Sequence, residues 1–275
     1  MRLLHPQAAK LEQGAIFNCL RINGYENCAC SGLILNARCD LEHNKQSSIN
    51  YLPIISLNDW LKRDFLRLLA KRLIPELSQS LNTAFKNKNI PKSVTDIFPK
   101  EEIIAREFTQ KEQLILNTKL VLLRIAESAI DGGISNSLDN ARLLDANSKV
   151  SLRILEELIK QQLPEYYFLN DVDIYDQQSH GYVVLLRHIS TMGCEEIQRI
   201  AQGISDDNIQ EIATLSNRLT FEHDPICMMT GVLRSPDVEH LAQHFSNLYI
   251  RIGLKDQDAN LPEKYLALAT TIPSS

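Results

Sequence analysis

The apolar residues of this chain change their spacing near Asn58 and change it back near Pro164, so the polypeptide must fold as strands, then helices, then strands again. Before Asn58 they fall in short runs with an alternating period, which suits strands because successive side chains point to opposite faces. Ala15-Ile16-Phe17-Asn18-Cys19-Leu20-Arg21-Ile22 ends at the turn signal Asn23-Gly24. The runs 32–37 and 49–57 follow, and Pro53, which has no N–H, predicts an edge or a bulge in the second. Behind the N-cap candidate Asn58, Leu61, Phe65, Leu69, Leu73 and Leu77 recur every four residues, and Pro75 is expected to kink or divide that helix. A second helical stretch opens after Pro99, carries Ile104, Phe108, Ile115, Leu122 and Ala126, and stops at Gly132-Gly133. A third runs from about Asp145 to Gln162 with Val150, Ile154, Leu155 and Leu158 inward.

Strand character returns at 166–169 and 181–186 and again at 228–233, with a short helix over 195–201 and a helical or irregular piece near 208–219. The closing helix has Ser235 as N-cap, Pro236 at its first position, Asp237 in its first turn, Arg251 in its last and Gly253 as its stop. Three early strands make a marginal sheet on their own, so the late strands are expected to return and pair with them. The expected fold is α+β: an antiparallel, barrel-like domain built from residues 1–57 plus 164–275, with residues 58–163 as a helical insertion packed against it.

Composition bounds the function. With 275 residues and 44% hydrophobic content, the chain is neither disordered nor a small stapled scaffold, and its net charge of −5 argues against coating nucleic acid or an anionic membrane. No apolar run approaches the roughly 20 residues of a spanning helix. The opening Met1-Arg2-Leu3-Leu4-His5-Pro6 breaks before a signal-peptide core can form. A cytoplasmic location without a membrane partner is the expectation, and it makes the six cysteines free thiols or metal ligands rather than a disulfide framework.

Two stretches carry a resemblance. Leu11-Glu12-Gln13-Gly14-Ala15-Ile16-Phe17, with Gly32-Leu33-Ile34-Leu35-Asn36-Ala37-Arg38-Cys39-Asp40-Leu41-Glu42-His43, resembles uncharacterised bacterial proteins in which a Q-G-D-[IV] strand precedes one ending in C-D-[LI]. The end, Leu233-Arg234-Ser235-Pro236 through Gln243 and Phe245 to Arg251-Ile252-Gly253-Leu254, is similar to the S-P…L-x-Q-x-F…R-[VI]-G-L tail of the same proteins. The first stretch is also distantly similar to the SH3-like barrel of PemK-type endoribonucleases, which implies a small SH3-like β-barrel. Ala15 replaces the acidic residue of that pattern and Ala29-Cys30-Ser31-Gly32 its Arg-Pro, so the similarity implies the barrel and not RNA cleavage.

Several groups could carry chemistry. Cys28, Cys30, Cys39 and His43 lie within sixteen residues, and thiolates with an imidazole suit tetrahedral zinc; the bland alternative is turn thiols and a packed Cys39. Cys39, Asp40 and His43 also admit a nucleophile, orienting carboxylate and base, which requires that they meet in space. Arg63, Arg67 and Lys71 recur every four residues near Trp60, in a segment (58–92) with eight cations against three carboxylates. That face could meet phosphates or an acidic partner, or simply be solvated. His240 and His244 share a helix face, but the metalloprotease pattern needs Glu where Leu241 stands. Asp171, Asp173 and Asp176 lack the glycine and terminal glutamate of a calcium loop, and nucleotide-loop and serine-hydrolase motifs are missing.

Two functions follow as expectations. The first is an interaction or sensor protein that engages a protein partner through its helices, in a phage-defence or toxin–antitoxin setting implied by the bacterial resemblance, with no cofactor. The second is a nucleic-acid or phosphoester-cleaving enzyme with Cys39, Asp40 and His43 at the barrel rim and the basic helix holding phosphate.

Overall fold

The structure is a computed structural model and describes residues 3–4, 11–42, 47–131, 137–170, 180–209, 215 and 217–250. The strands are β1 (Leu3–Leu4), β2 (Ala15–Leu20), β3 (Cys30–Ile34), β4 (Ser48–Ser56), β5 (Tyr166–Leu169), β6 (Tyr182–Leu185), β7 (Ser190–Gly193), β8 (Ile204–Ser205), β9 (Ile226–Cys227) and β10 (Met229–Leu233). The helices are α1 (Arg38–Glu42), α2 (Leu57–Trp60), α3 (Leu66–Asn87), α4 (Lys92–Ile97), α5 (Lys100–Glu107), α6 (Gln110–Ile130), α7 (Ser137–Ala146), α8 (Ser148–Ile159), α9 (Cys194–Gln202), α10 (Asp206–Ile209) and α11 (Asp237–Ile250), with a π-helical turn, Leu61–Phe65, between α2 and α3.

The chain ends do meet. The main sheet is antiparallel in the order β1-β10-β2-β3-β4-β6-β5, with β7 paired to β4 and a separate β8–β9 pair. Late strands thus flank early ones on both sides: Val232 pairs with Ala15 of β2, and Val184 with Ile54 of β4. The sheet curls into a half-barrel but stays open, with β1 and β5 at its two ends.

Both faces of the sheet are covered, which is why strands such as Tyr182–Leu185 read as unbroken apolar runs. Ala15, Phe17, Ile49, Tyr51, Ile55, Val183 and Leu185 face the helices and share one continuous core with Trp60, Leu69, Leu73, Leu120 and Ile154. Ile16, Leu33, Leu52, Ile54, Tyr167 and Val184 face the other way and are closed over by Val238 and Leu241 of α11. The Phe17 ring lies where a Cβ on Gly32 would be, and it meets Tyr51 edge-on at 5.4 Å, so glycine is required in β3 at that point.

The helical block departs from expectation in α4 and α7, which were not expected, and in three further places. Pro75 sits inside α3 without dividing it, because Pro75 and Lys71, whose carbonyl loses its partner, both face solvent. The second stretch is two helices: Thr109 and Glu112 form a capping box that restarts the chain as α6 after α5 ends, and Ile115, expected inward, is half exposed. The cap of the first helix is Ser56, whose Oγ accepts from Asp59 N at 3.1 Å, rather than Asn58. Gly132-Gly133, Arg251 and Gly253 lie outside the described residues. No helix among those described is long and apolar enough to cross a membrane.

Candidate functional site

The expected cysteine site is pulled apart by β3. Cys28 and Cys30 are at its start, and Cys39 is on α1 beyond its far end, with five extended residues, about 13 Å of strand, between them. One ion cannot take all three thiols as ligands, and His43 lies outside the described residues. Among the described residues no group of three His, Cys, Asp or Glu side chains is placed to hold a metal. Cys28 neighbours Asp59; burial first and that carboxylate second push its thiol up to about 11, so it is neutral near pH 7. Burial raises the Cys30 thiol as well. Cys39 is exposed, with its Sγ 3.8 Å from Asp40 Oδ1, while the adjacent Arg38 reaches Glu239 of α11 at 3.7 Å.

The basic helix stands at the opposite end of β3 from Cys39 and Asp40, so the halves of the expected phosphoester site do not share a cleft. Its cations are also largely engaged within the fold. The Arg63 guanidinium lies 4.8 Å from the centre of the Tyr25 ring and packs on Gly24, where φ is +87° and a Cβ would collide with it. Arg67 donates to the carbonyl of Ile130 at the end of α6, at 3.3 Å, and Lys71 projects into solvent. Trp60, expected near these cations, is fully buried and meets Phe65 at a tilt and Tyr166 edge-on. It belongs to the junction between sheet and helices, where the π-turn also places Asp64; Tyr25 donates to Asp64 Oδ2 at 2.6 Å.

His240 and His244 flank the buried stripe of α11 but are packed together rather than merely solvated. The Tyr167 hydroxyl is 2.9 Å from His240 Nδ1, both imidazoles meet the Tyr167 ring edge-on, and burial lowers the His244 pKa. Asp171, Asp173 and Asp176 lie outside the described residues.

A pocket that sequence spacing does not reveal forms where β4 changes partner. Its first half pairs with β7, to Tyr51, and its second with β6, from Ile54, so Leu52 and Pro53 face a gap on that side. Pro53 suits the gap because it has no amide proton to leave unpaired. The turn joining β6 to β7 overhangs one side, and the chain leaving β2 closes the other, held by Arg21 N donating to Arg218 O at 2.8 Å. Between them is a cavity of about 550 Å3 with Arg21, His188 and Arg218 in its wall. Tyr51, Ser190 and Thr191 add hydroxyls, Asn23 and Asn217 add amides, and none of the described residues lining it is a carboxylate.

The electrostatics of this wall suit an anion. Arg218 is braced by donating to the Thr191 carbonyl and lies beside the Tyr51 hydroxyl, as does Ser190. Burial raises the Tyr51 pKa against the pull of Arg218, so the phenol stays a neutral donor. Two guanidiniums and hydroxyl donors around one cavity fit the planar, multidentate recognition of phosphate or carboxylate oxygens. Its volume lies in the range of small-ligand pockets. The contributing residues come from four distant segments, 20–23, 51–53, 188–191 and 217–218, so no local motif announces the site. Comparison of the chain with family models, curated proteins and solved structures finds no match.

Proposed function

We propose that the protein is a sensor that binds a small phosphate-bearing ligand in the pocket between β2 and the β6–β7 turn. The observation that carries this reading is the convergence of Arg21, Arg218 and His188 on one cavity with no carboxylate among the described residues that line it. The Arg21 side chain is exposed at the rim, where a ligand can reach it. A protein partner on the helical block accords with this reading, and the exposed side chains of Ile97 and Phe98 on and after α4 favour such a partner.

Calorimetric titration with inorganic pyrophosphate and with a nucleoside triphosphate tests the proposal. Saturable binding that weakens with salt is expected, and Arg21→Gln should weaken it by about tenfold or more, the loss of one charge-assisted hydrogen bond, without lowering Tm. Absence of binding heat for either ligand at millimolar concentration would overturn it.

A further inference from the structure

Cys19 is the one residue inside a described strand, glycine apart, with a left-handed backbone, φ +61°. The other described non-glycine residues with positive φ, Asn89 and Gln161, sit just beyond helix ends, where that conformation is common. The cause is a change of neighbours. Asn18 N donates to Met228 O at 3.2 Å, whereas the next carbonyl, of Cys19, accepts from Thr220 N at 2.8 Å, and Leu20 bridges to Leu219. The Asn18 side chain spans the break: Oδ1 accepts from Met228 N at 2.7 Å and Nδ2 donates to Ile226 O at 3.0 Å.

This arrangement sets two thiols against each other. The register Phe17↔Met229, carried on two residues through the Asn18–Met228 bond, puts Cys19 opposite Cys227. The two thiols are neighbours, with Cys227 Sγ 3.2 Å from Asn18 O and Cys19 Sγ 3.7 Å from Asp224 O. Directly opposed residues in an antiparallel pair have Cα atoms about 4.5–5.5 Å apart, within the span a disulfide bridges. Cys19 is 5% exposed and Cys227 fully buried, so the pair is shielded from larger thiols.

We infer that Cys19 and Cys227 form a reversible disulfide when the protein meets a hydroperoxide. With hydrogen peroxide, the Cys19 thiol gives up its proton and its sulfur attacks one peroxide oxygen; the O–O bond breaks, the peroxide takes two electrons, the departing hydroxide takes up that proton and leaves as water, and Cys19 becomes a sulfenic acid. The Cys227 sulfur then attacks Cys19 Sγ as its thiol gives up a proton, and the displaced hydroxide leaves as a second water. Cys19 initiates because it is the less buried of the two, 5% exposed against 0%, so peroxide reaches it first. A dithiol returns both electrons and restores the two thiols. The inference stands independently of the anion pocket.

Peptide mapping of the full chain under non-reducing conditions, before and after hydrogen peroxide, tests it. The expected product is a cross-linked pair of peptides containing Cys19 and Cys227, lighter by two hydrogens and reversed by dithiothreitol. In Cys227→Ser the oxidation should stop at a Cys19 sulfenic acid trapped by dimedone. Recovery of Cys19 and Cys227 as alkylatable thiols after peroxide and denaturation, or cross-linking of either to Cys28 or Cys30 instead, would overturn the assignment.

Discussion

Asp64 shows how one buried carboxylate joins the two halves. It is 9% exposed, emerges from the π-turn on the helical side, accepts from Tyr25 of the β2–β3 connection and lies beside Tyr166 of β5. Burial, then Asp64, raise the pKa of Tyr25 well above that of a free tyrosine, and the same causes raise that of Tyr166. The native protein therefore holds phenolic protons that the unfolded chain releases near pH 10. This contribution is intact below about pH 10 and is lost as the pH climbs beyond it, by up to about 1.4 kcal/mol per pH unit for each tyrosine. Denaturant midpoints measured from pH 8 to 11 should hold level up to about pH 10 and fall along this slope above it. Tyr25→Phe should flatten the decline while costing about 1–3 kcal/mol near neutrality, since it strips a bond from a buried charge. A decline as steep in that variant as in the parent would show that Tyr25 does not supply it.

At the scale of elements, the strands were the most legible part of the sequence. The Asn23-Gly24 turn and the runs beginning at Ala15 and Ile49 end within a residue or two of β2 and β4, because alternation and turn chemistry are local signals. The break between α5 and α6 was equally local but easily overlooked, since the apolar spacing runs straight through Phe108 while Thr-x-x-Glu at 109–112 restarts the helix. Thr109→Ala should therefore lower stability by about 1 kcal/mol, read as a shifted urea midpoint at constant m. The candidate pocket was illegible for the opposite reason. Nothing near Arg21 or Arg218 in sequence marks them, and they become neighbours only because the segment before β9 folds back along β2. The stripe of Arg63, Arg67 and Lys71 was readable as spacing, but spacing cannot say that Tyr25 and the end of α6 occupy two of its members.

For the whole molecule, the decisive fact is that the core of the insertion is continuous with that of the sheet. Residues 58–163 lie between β4 and β5, yet Trp60, Phe65 and Leu69 belong to the same apolar cluster as Phe17, Tyr51 and Val183 of the sheet. Although α3 and α6 pack on each other, the helices close over one face of the curled sheet, and the sheet itself exists only when β10 returns to β2 and β6 to β4. Each half thus presents an apolar surface that the other removes from water, at roughly 25 cal/mol per Å2. A fragment of residues 58–163 expressed alone should retain helical circular dichroism from α3 and α6 but bind anilinonaphthalene sulfonate and melt without a cooperative transition. The intact chain should melt in a single transition followed equally by helical and aromatic signals. A sharp melt and dispersed amide resonances from the fragment would instead make the helices an autonomous domain, and the sheet face beneath them would then have to be stable uncovered, which Phe17 and Tyr51 make costly.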